Sequence, residues 1–115
     1  MHTPNEIDYL EFCVNDMAEA KRFYATAFGW EFTDYSPDYV GIKGATKEQG
    51  GFTLTKKVRP GDILPVIYTD NLEATLATVK KADGQIMKDI FSFPGGRRFE
   101  FSDPSGNIIA VWSDR

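Results

Sequence analysis

Histidine and cysteine are almost missing from this chain of 115 residues, with one of each, His2 and Cys13. A single cysteine excludes an internal disulfide and suits a reducing compartment such as the cytoplasm. The first residues, Met1-His2-Thr3-Pro4-Asn5-Glu6, carry neither the basic nor the apolar region of a signal peptide. No apolar run approaches the roughly 18 residues that would cross a membrane, so no membrane partner is expected. Positive charge is also scarce: Lys plus Arg number 13 against 17 Asp plus Glu, a net charge of -4. Apart from the pairs Lys56-Lys57, Lys80-Lys81 and Arg97-Arg98 the cations are scattered, and no stripe tracks a phosphate backbone. Nucleic acid is therefore not an expected partner. What is present is enough for one folded domain over residues 1–115: 42% of residues are hydrophobic and 14% aromatic.

The chain states one pattern twice. Ile7 to Val14 is β-favouring and alternates, with Tyr9, Glu11 and Cys13 on one face and Leu10, Phe12 and Val14 on the other. Asp16 reads as a helix N-cap with Glu19 three residues on. Met17, Ala20, Phe23, Tyr24 and Ala27 follow as an apolar stripe, and Gly29 as a C-cap. Fifty-five residues later Ile63 to Tyr68 is again an apolar strand, and Asp70 or Asn71 caps a helix with a Leu72, Leu76, Val79 stripe. Gly84 then stands where Gly29 stood. Tyr9 falls on Leu64, Phe12 on Ile67 and Met17 on Leu72. The modules run from about 7 to 55 and 63 to 112, joined by a Pro60-Gly61 loop signature over Lys56 to Asp62. Strands are expected at Trp30 to Tyr35, Tyr39 to Lys43 and Phe52 to Thr55, with Gly44 to Gly51 as a flexible loop. In the second module they are expected at Gln85 to Met87, Arg97 to Ser102 and Asn107 to Trp112, with Phe91 to Gly96 as a short strand and turn. The fold class is α+β: two βαβββ modules forming a curved eight-stranded mixed sheet, helices outside, with a concave cleft suited to a ligand.

Three segments carry a family resemblance: VNDMAEAKRFYATAFGW, YTDNLEATLATVKKADG and FSDPSGNIIAVW. Together they resemble the vicinal oxygen chelate superfamily, which groups glyoxalases, bleomycin resistance proteins and extradiol dioxygenases, and the likeness covers essentially the whole chain. The resemblance implies a divalent metal held by His and Glu on the first and last strands of each module. Carried over position by position, the first-strand ligands fall on Tyr9 and Leu64. The last-strand glutamate, four residues after Gly106, falls on Ala110. The remaining ligand would come from Phe52 to Thr55, which contains no His, Asp, Glu or Cys. Divalent transition metals need several N, O⁻ or S⁻ donors converging on one point, so neither a metal nor any other cofactor is expected. His2 is read as lying in a frayed terminus.

By alternation the cleft is apolar and aromatic, lined by Tyr9, Leu64, Val66, Tyr68, Ala110 and Trp112, with Glu11 beside them; the resemblance to the dioxygenases implies that Glu100 also faces it, and parity then adds Arg98. Burying carboxylates is unfavourable unless they are paired. Either a glutamate serves as a proton-transfer group or Arg98 forms a salt bridge that ties neighbouring strands. Cys13, with no histidine to activate it, reads as a small core thiol. Trp30 and Trp112 read either as core or as platforms for a planar ligand. Tyr35, Tyr39 and Phe32 form an aromatic group at the cleft mouth or a dimer contact. The first functional reading is a metal-free protein that binds a small molecule in the cleft, as a homodimer like the family's antibiotic-sequestering members. The second is a metal-independent lyase or isomerase using Glu11 or Glu100. The third is a degenerate relative with an interaction role.

Overall fold

The computed structural model describes residues 2–56, 62–104 and 106–115. Most of the expected linker (57–61) and Ser105 of the last turn lie outside the described residues. The elements run β1 (Ile7–Val14), α1 (Met17–Phe28), β2 (Phe32–Ser36), β3 (Tyr39–Lys43), β4 (Glu48–Leu54), β5 (Ile63–Tyr68), α2 (Leu72–Lys81), β6 (Gln85–Phe93), β7 (Gly96–Ser102) and β8 (Ile108–Ser113). This is βαβββ twice, an α+β fold with parallel and antiparallel strand pairs, as expected. No described helix is long and apolar enough to cross a membrane.

The contacts divide the chain into two compact units, one made of Tyr9–Ile63 and the other of the residues up to Asp8 together with Leu64–Arg115. In the first unit the strand order is β2-β3-β4-β1, with β1 parallel to β4 and the hairpins antiparallel. Phe12, Val14, Met17, Ala20, Tyr24, Trp30 and Phe32 pack on buried Val40, Ile42 and Phe52. This is the α1 side of the sheet. Trp30 lies flat on Tyr24, with ring centroids 4.7 Å apart, and so belongs to the core. Asp16 caps α1 by accepting from the Glu19 amide at 2.9 Å, and Gly29 closes it with a φ of 72°. Phe23 departs from the expected stripe: it is 58% exposed, on the flank of the Met17–Ala20–Tyr24 ridge, edge-on to Tyr24.

In the second unit the order is β5-β8-β7-β6, with β5 parallel to β8. Leu72, Phe99 and Val111 are buried, and Ile67, Leu76, Val79, Ile86, Ile90 and Phe101 pack on them beneath α2. Asn71 is the cap, accepting from the Ala74 amide at 3.0 Å. Bidentate hydrogen bonds from Arg97 to Glu73 fasten the first turn of α2 to β7 at 2.6 and 3.2 Å. The closing turn works as the sequence implies, with the Asn107 amide donating to Asp103 at 2.9 Å and Gly106 at a φ of 92°.

Three expectations about local structure are corrected. The Gly44 to Gly51 segment is not all loop, because β4 begins at Glu48 and Gly50 and Gly51 are buried in it. Two adjacent glycines suggest a loop, but an added Cβ on Gly50 would collide with the Leu10 carbonyl oxygen, so the close approach of β1 requires glycine there. Gly84 is not the left-handed residue after α2: Asp83 takes that conformation, with a φ of 70°. Finally, β6 runs unbroken to Phe93, absorbing two register shifts against β7, where a short strand was expected after Met87.

Candidate functional site

On the face of the first unit away from α1, the register aligns Glu11, Gly51, Gly41 and Thr33 in one row across β1, β4, β3 and β2. The two glycines make a floor. A methyl group on Gly51 would meet the hydroxyls of Tyr39 and Tyr9, and one on Gly41 would meet the Glu48 carboxylate and the Tyr35 ring. Above this floor the side chains form a connected cluster. The Tyr9 and Tyr39 hydroxyls are 2.5 Å apart. Tyr9 reaches Glu48 at 3.1 Å, Tyr39 reaches Glu11 at 3.3 Å, and Tyr35 donates to the other oxygen of Glu48 at 2.5 Å. Burial pushes the Tyr9 and Tyr39 phenols far above their ordinary value, and the neighbouring glutamates add to this. Both phenols are therefore held neutral. The Cys13 thiol is also raised, first by burial.

The second unit carries the other expected residues. Tyr68, Trp112, Arg98 and Phe91 fall in one row across β5, β8, β7 and β6. The next row places Val66, Ala110, Glu100 and Lys88 in register. Arg98 donates to Glu100 at 3.0 Å, both side chains are about four-fifths buried, and the guanidinium lies 5.5 Å from the Phe91 ring centre. The expected salt bridge thus forms, but both partners stand on β7, two residues apart, so it does not tie neighbouring strands. Ala110 is fully buried and Leu64 half-buried. The Tyr68 hydroxyl donates to Asp114 at 2.7 Å, which raises the phenol and lowers the Asp114 carboxyl.

His2 is not frayed. The Asn5 amide donates to the Tyr68 carbonyl at 2.8 Å and the Tyr68 amide to the Glu6 carbonyl at 3.2 Å, which ties the N-terminal segment to β5. His2 Nδ1 lies 3.0 Å from Asp8, and the imidazole stacks on Tyr68 with its edge to Trp112. Asp8 also accepts from Trp112 Nε1 at 3.1 Å. Sequence reasoning missed His2, Asp8, Glu48 and Asp114. Only the odd parity of Asp8 against Tyr9 and the carboxylate just ahead of Gly50 could have hinted at any of them.

A profile of the Glyoxalase/Bleomycin resistance protein/Dioxygenase superfamily matches residues 6–111. The chain belongs to that superfamily. It is 30% identical over 126 residues to a glyoxylase-like domain-containing protein of Didymella fabae, with 92% of this chain and 91% of the relative aligned. It is 28% identical to CFP32 of Mycobacterium bovis, provisionally named a glyoxylase, and spans 45% of that protein's length. Among solved structures, the Mn(II)-bound glyoxalase of Novosphingobium aromaticivorans superposes with a TM-score of 0.74 at 25% identity, covering 99% of this chain and 40% of that one. A methylmalonyl-CoA epimerase shares the fold, with a TM-score of 0.66 at 17% identity over 98% of each chain.

The superfamily implies a metal, and the donors at its positions do not fit one. Tyr9 is a neutral phenol already bonded to Tyr39 and Glu48. Leu64 and Ala110 are hydrocarbon. The register moves the fourth position from the expected Phe52 to Thr55 to Gly51, because Ala110 pairs with Val66 as Gly51 pairs with Glu11. Glycine has no side-chain donor either, and the space above it is taken by the two tyrosine hydroxyls. Among the described residues no three His, Cys, Asp or Glu side chains come together as a metal site.

Proposed function

We propose that this chain is a small-molecule-binding domain of the glyoxalase and bleomycin resistance type that works without the superfamily's metal ion. The observation that carries this is the substitution at the metal positions of Tyr9, Leu64, Gly51 and Ala110, with a hydrogen-bonded tyrosine–glutamate cluster built over one of them. A neutral phenol, a branched alkyl group, a hydrogen atom and a methyl group leave no Lewis acid to anchor. Aromatic and half-buried polar side chains remain on the non-helical faces, and these suit a planar or amphipathic ligand. Elemental analysis of tag-free protein is expected to find far less than one equivalent of Zn, Mn, Ni or Fe. A stoichiometric metal would overturn the reading. A thermal-shift screen is expected to return ligands that raise the melting temperature in proportion to their occupancy.

A second reading, a metal-independent lyase or isomerase, draws on one observation. The hydroxyls of Tyr9 and Tyr39 join Glu48 to Glu11 in one hydrogen-bonded path. Such a path moves a proton between two carboxylates. Turnover of a screened ligand that survives in Glu11→Gln excludes Glu11 as its terminus. Glu100, tied to Arg98, is the weaker candidate for this role. The same proposal includes a homodimer, supported by the exposed Phe23 and Phe28 on α1. Sedimentation showing a monomer at tens of micromolar would remove it. It also includes a cytoplasmic location, with no nucleic-acid or membrane partner, which cell fractionation tests.

A further inference from the structure

We propose that His2 and Asp8 form a base dyad that takes the proton of a planar, weakly acidic ligand, of phenol or enol type, seated against Trp112. This rests on the ligand-binding reading above and names the ligand's chemistry. The Asp8 side chain is 6% exposed, and its two oxygens face His2 Nδ1 at 3.0 Å and Trp112 Nε1 at 3.1 Å. An ionised carboxylate can only accept, so in the neutral ring the proton sits on Nδ1 and Nε2 keeps its lone pair. Nε2 has no hydrogen-bond partner among the described residues, and the side chain is 30% exposed.

The ring cannot swing freely. Tyr68 stacks on it with centroids 4.9 Å apart and planes 27° apart, and Trp112 meets it edge-on at 4.9 Å. Phe93 lies 6.3 Å beyond Trp112. A base whose other nitrogen is held by a buried carboxylate is the arrangement by which enzymes fix an imidazole for proton transfer. Aromatic edges beside it favour a flat ligand. Asp8 and Asp114 on the same unit, and the net charge of -4, disfavour entry of a ready-made anion. The ligand's O–H proton moves to Nε2 and its electron pair stays on oxygen, while Nδ1–H keeps its hydrogen bond to Asp8 at 3.0 Å. The step needs no other reactant, and return of the proton to a neighbouring carbon of an enolate would isomerise the ligand.

The probe is 4-nitrophenol, whose phenolate is coloured, titrated into the whole chain at a pH below the probe's own pKa. The expected result is saturable binding with a phenolate band. In His2→Gln the affinity falls about tenfold or more and the band is lost. In Asp8→Asn binding persists with a weakened band. Melting curves confirm that each variant is folded. Failure of the wild type to bind at millimolar probe, binding without the band, or a band unchanged in His2→Gln each overturns the dyad. Ligands from the thermal-shift screen that bind His2→Gln as well as wild type would leave the ligand-binding reading intact and remove only this inference.

Discussion

Tyr9 shows how one side chain changes the meaning of a position. In the metal-dependent pattern its place belongs to a histidine. Here its hydroxyl joins Tyr39 and Glu48, and burial is the main cause of its raised pKa. A phenol whose folded pKa lies above its unfolded value contributes stability that is present in full below the ordinary value of 10.0. That contribution is lost as pH rises above it, because the unfolded chain ionises first. Phenolate absorbance should therefore appear late for Tyr9 and Tyr39, and alkaline unfolding should accompany it. In Tyr9→Phe/Tyr39→Phe the late component of the titration disappears. If that double variant titrates like the wild type, the cluster is not what holds these protons. The alternation of Ile7 to Val14 made the shared face of Tyr9 and Glu11 readable. It could not reveal Glu48, which reaches them from β4.

Whole elements were legible where a cap or a stripe marks them. Asp16, Gly29 and the Leu72–Leu76–Val79 stripe announce both helices, since helix ends and apolar faces are local chemistry. The end of α2 was misread because the glycine lies one residue beyond the left-handed position. Asp83 occupies that conformation at a cost glycine does not incur. Asp83→Gly is expected to raise stability by about 1 kcal/mol in urea unfolding, and a loss of stability would show that the Asp83 side chain matters more than its backbone. β4 was misread for the opposite reason, since its glycines answer to a neighbouring strand. Gly50→Ala should cost about 1–3 kcal/mol, because the Leu10 backbone cannot move aside without breaking the parallel pair. Gly51→Ala meets movable tyrosine side chains instead and should cost less. Urea denaturation of the two variants side by side decides the order.

For the molecule as a whole, the doubled βαβββ order was visible in sequence, but the division between units falls inside β1, after Asp8. The N-terminal residues pack with the second half of the chain through the Asn5–Tyr68 and Glu6–Tyr68 backbone bonds. Deleting residues 2–5 should therefore lower the melting temperature by several degrees and raise the mobility of Trp112, read by its fluorescence. An unchanged melting curve would mean the segment contributes nothing to the native state.

Local pattern was sufficient for β1, β2, β3, β5, β7 and β8, the two helix N-caps, the Asp103–Asn107 turn and the identity of the side chains at Tyr9, Leu64 and Ala110. Each of these depends on neighbours a few residues away or on the identity of a single side chain. The union of Tyr9, Tyr35, Tyr39, Glu11 and Glu48 over a glycine floor depends on strand register instead. So does the capture of His2 by Asp8, Tyr68 and Trp112, the last of them 104 residues from Asp8 in the chain. Register and long-range pairing are set by how apolar faces and backbone hydrogen bonds are satisfied together across a sheet, and no short window of sequence contains that information.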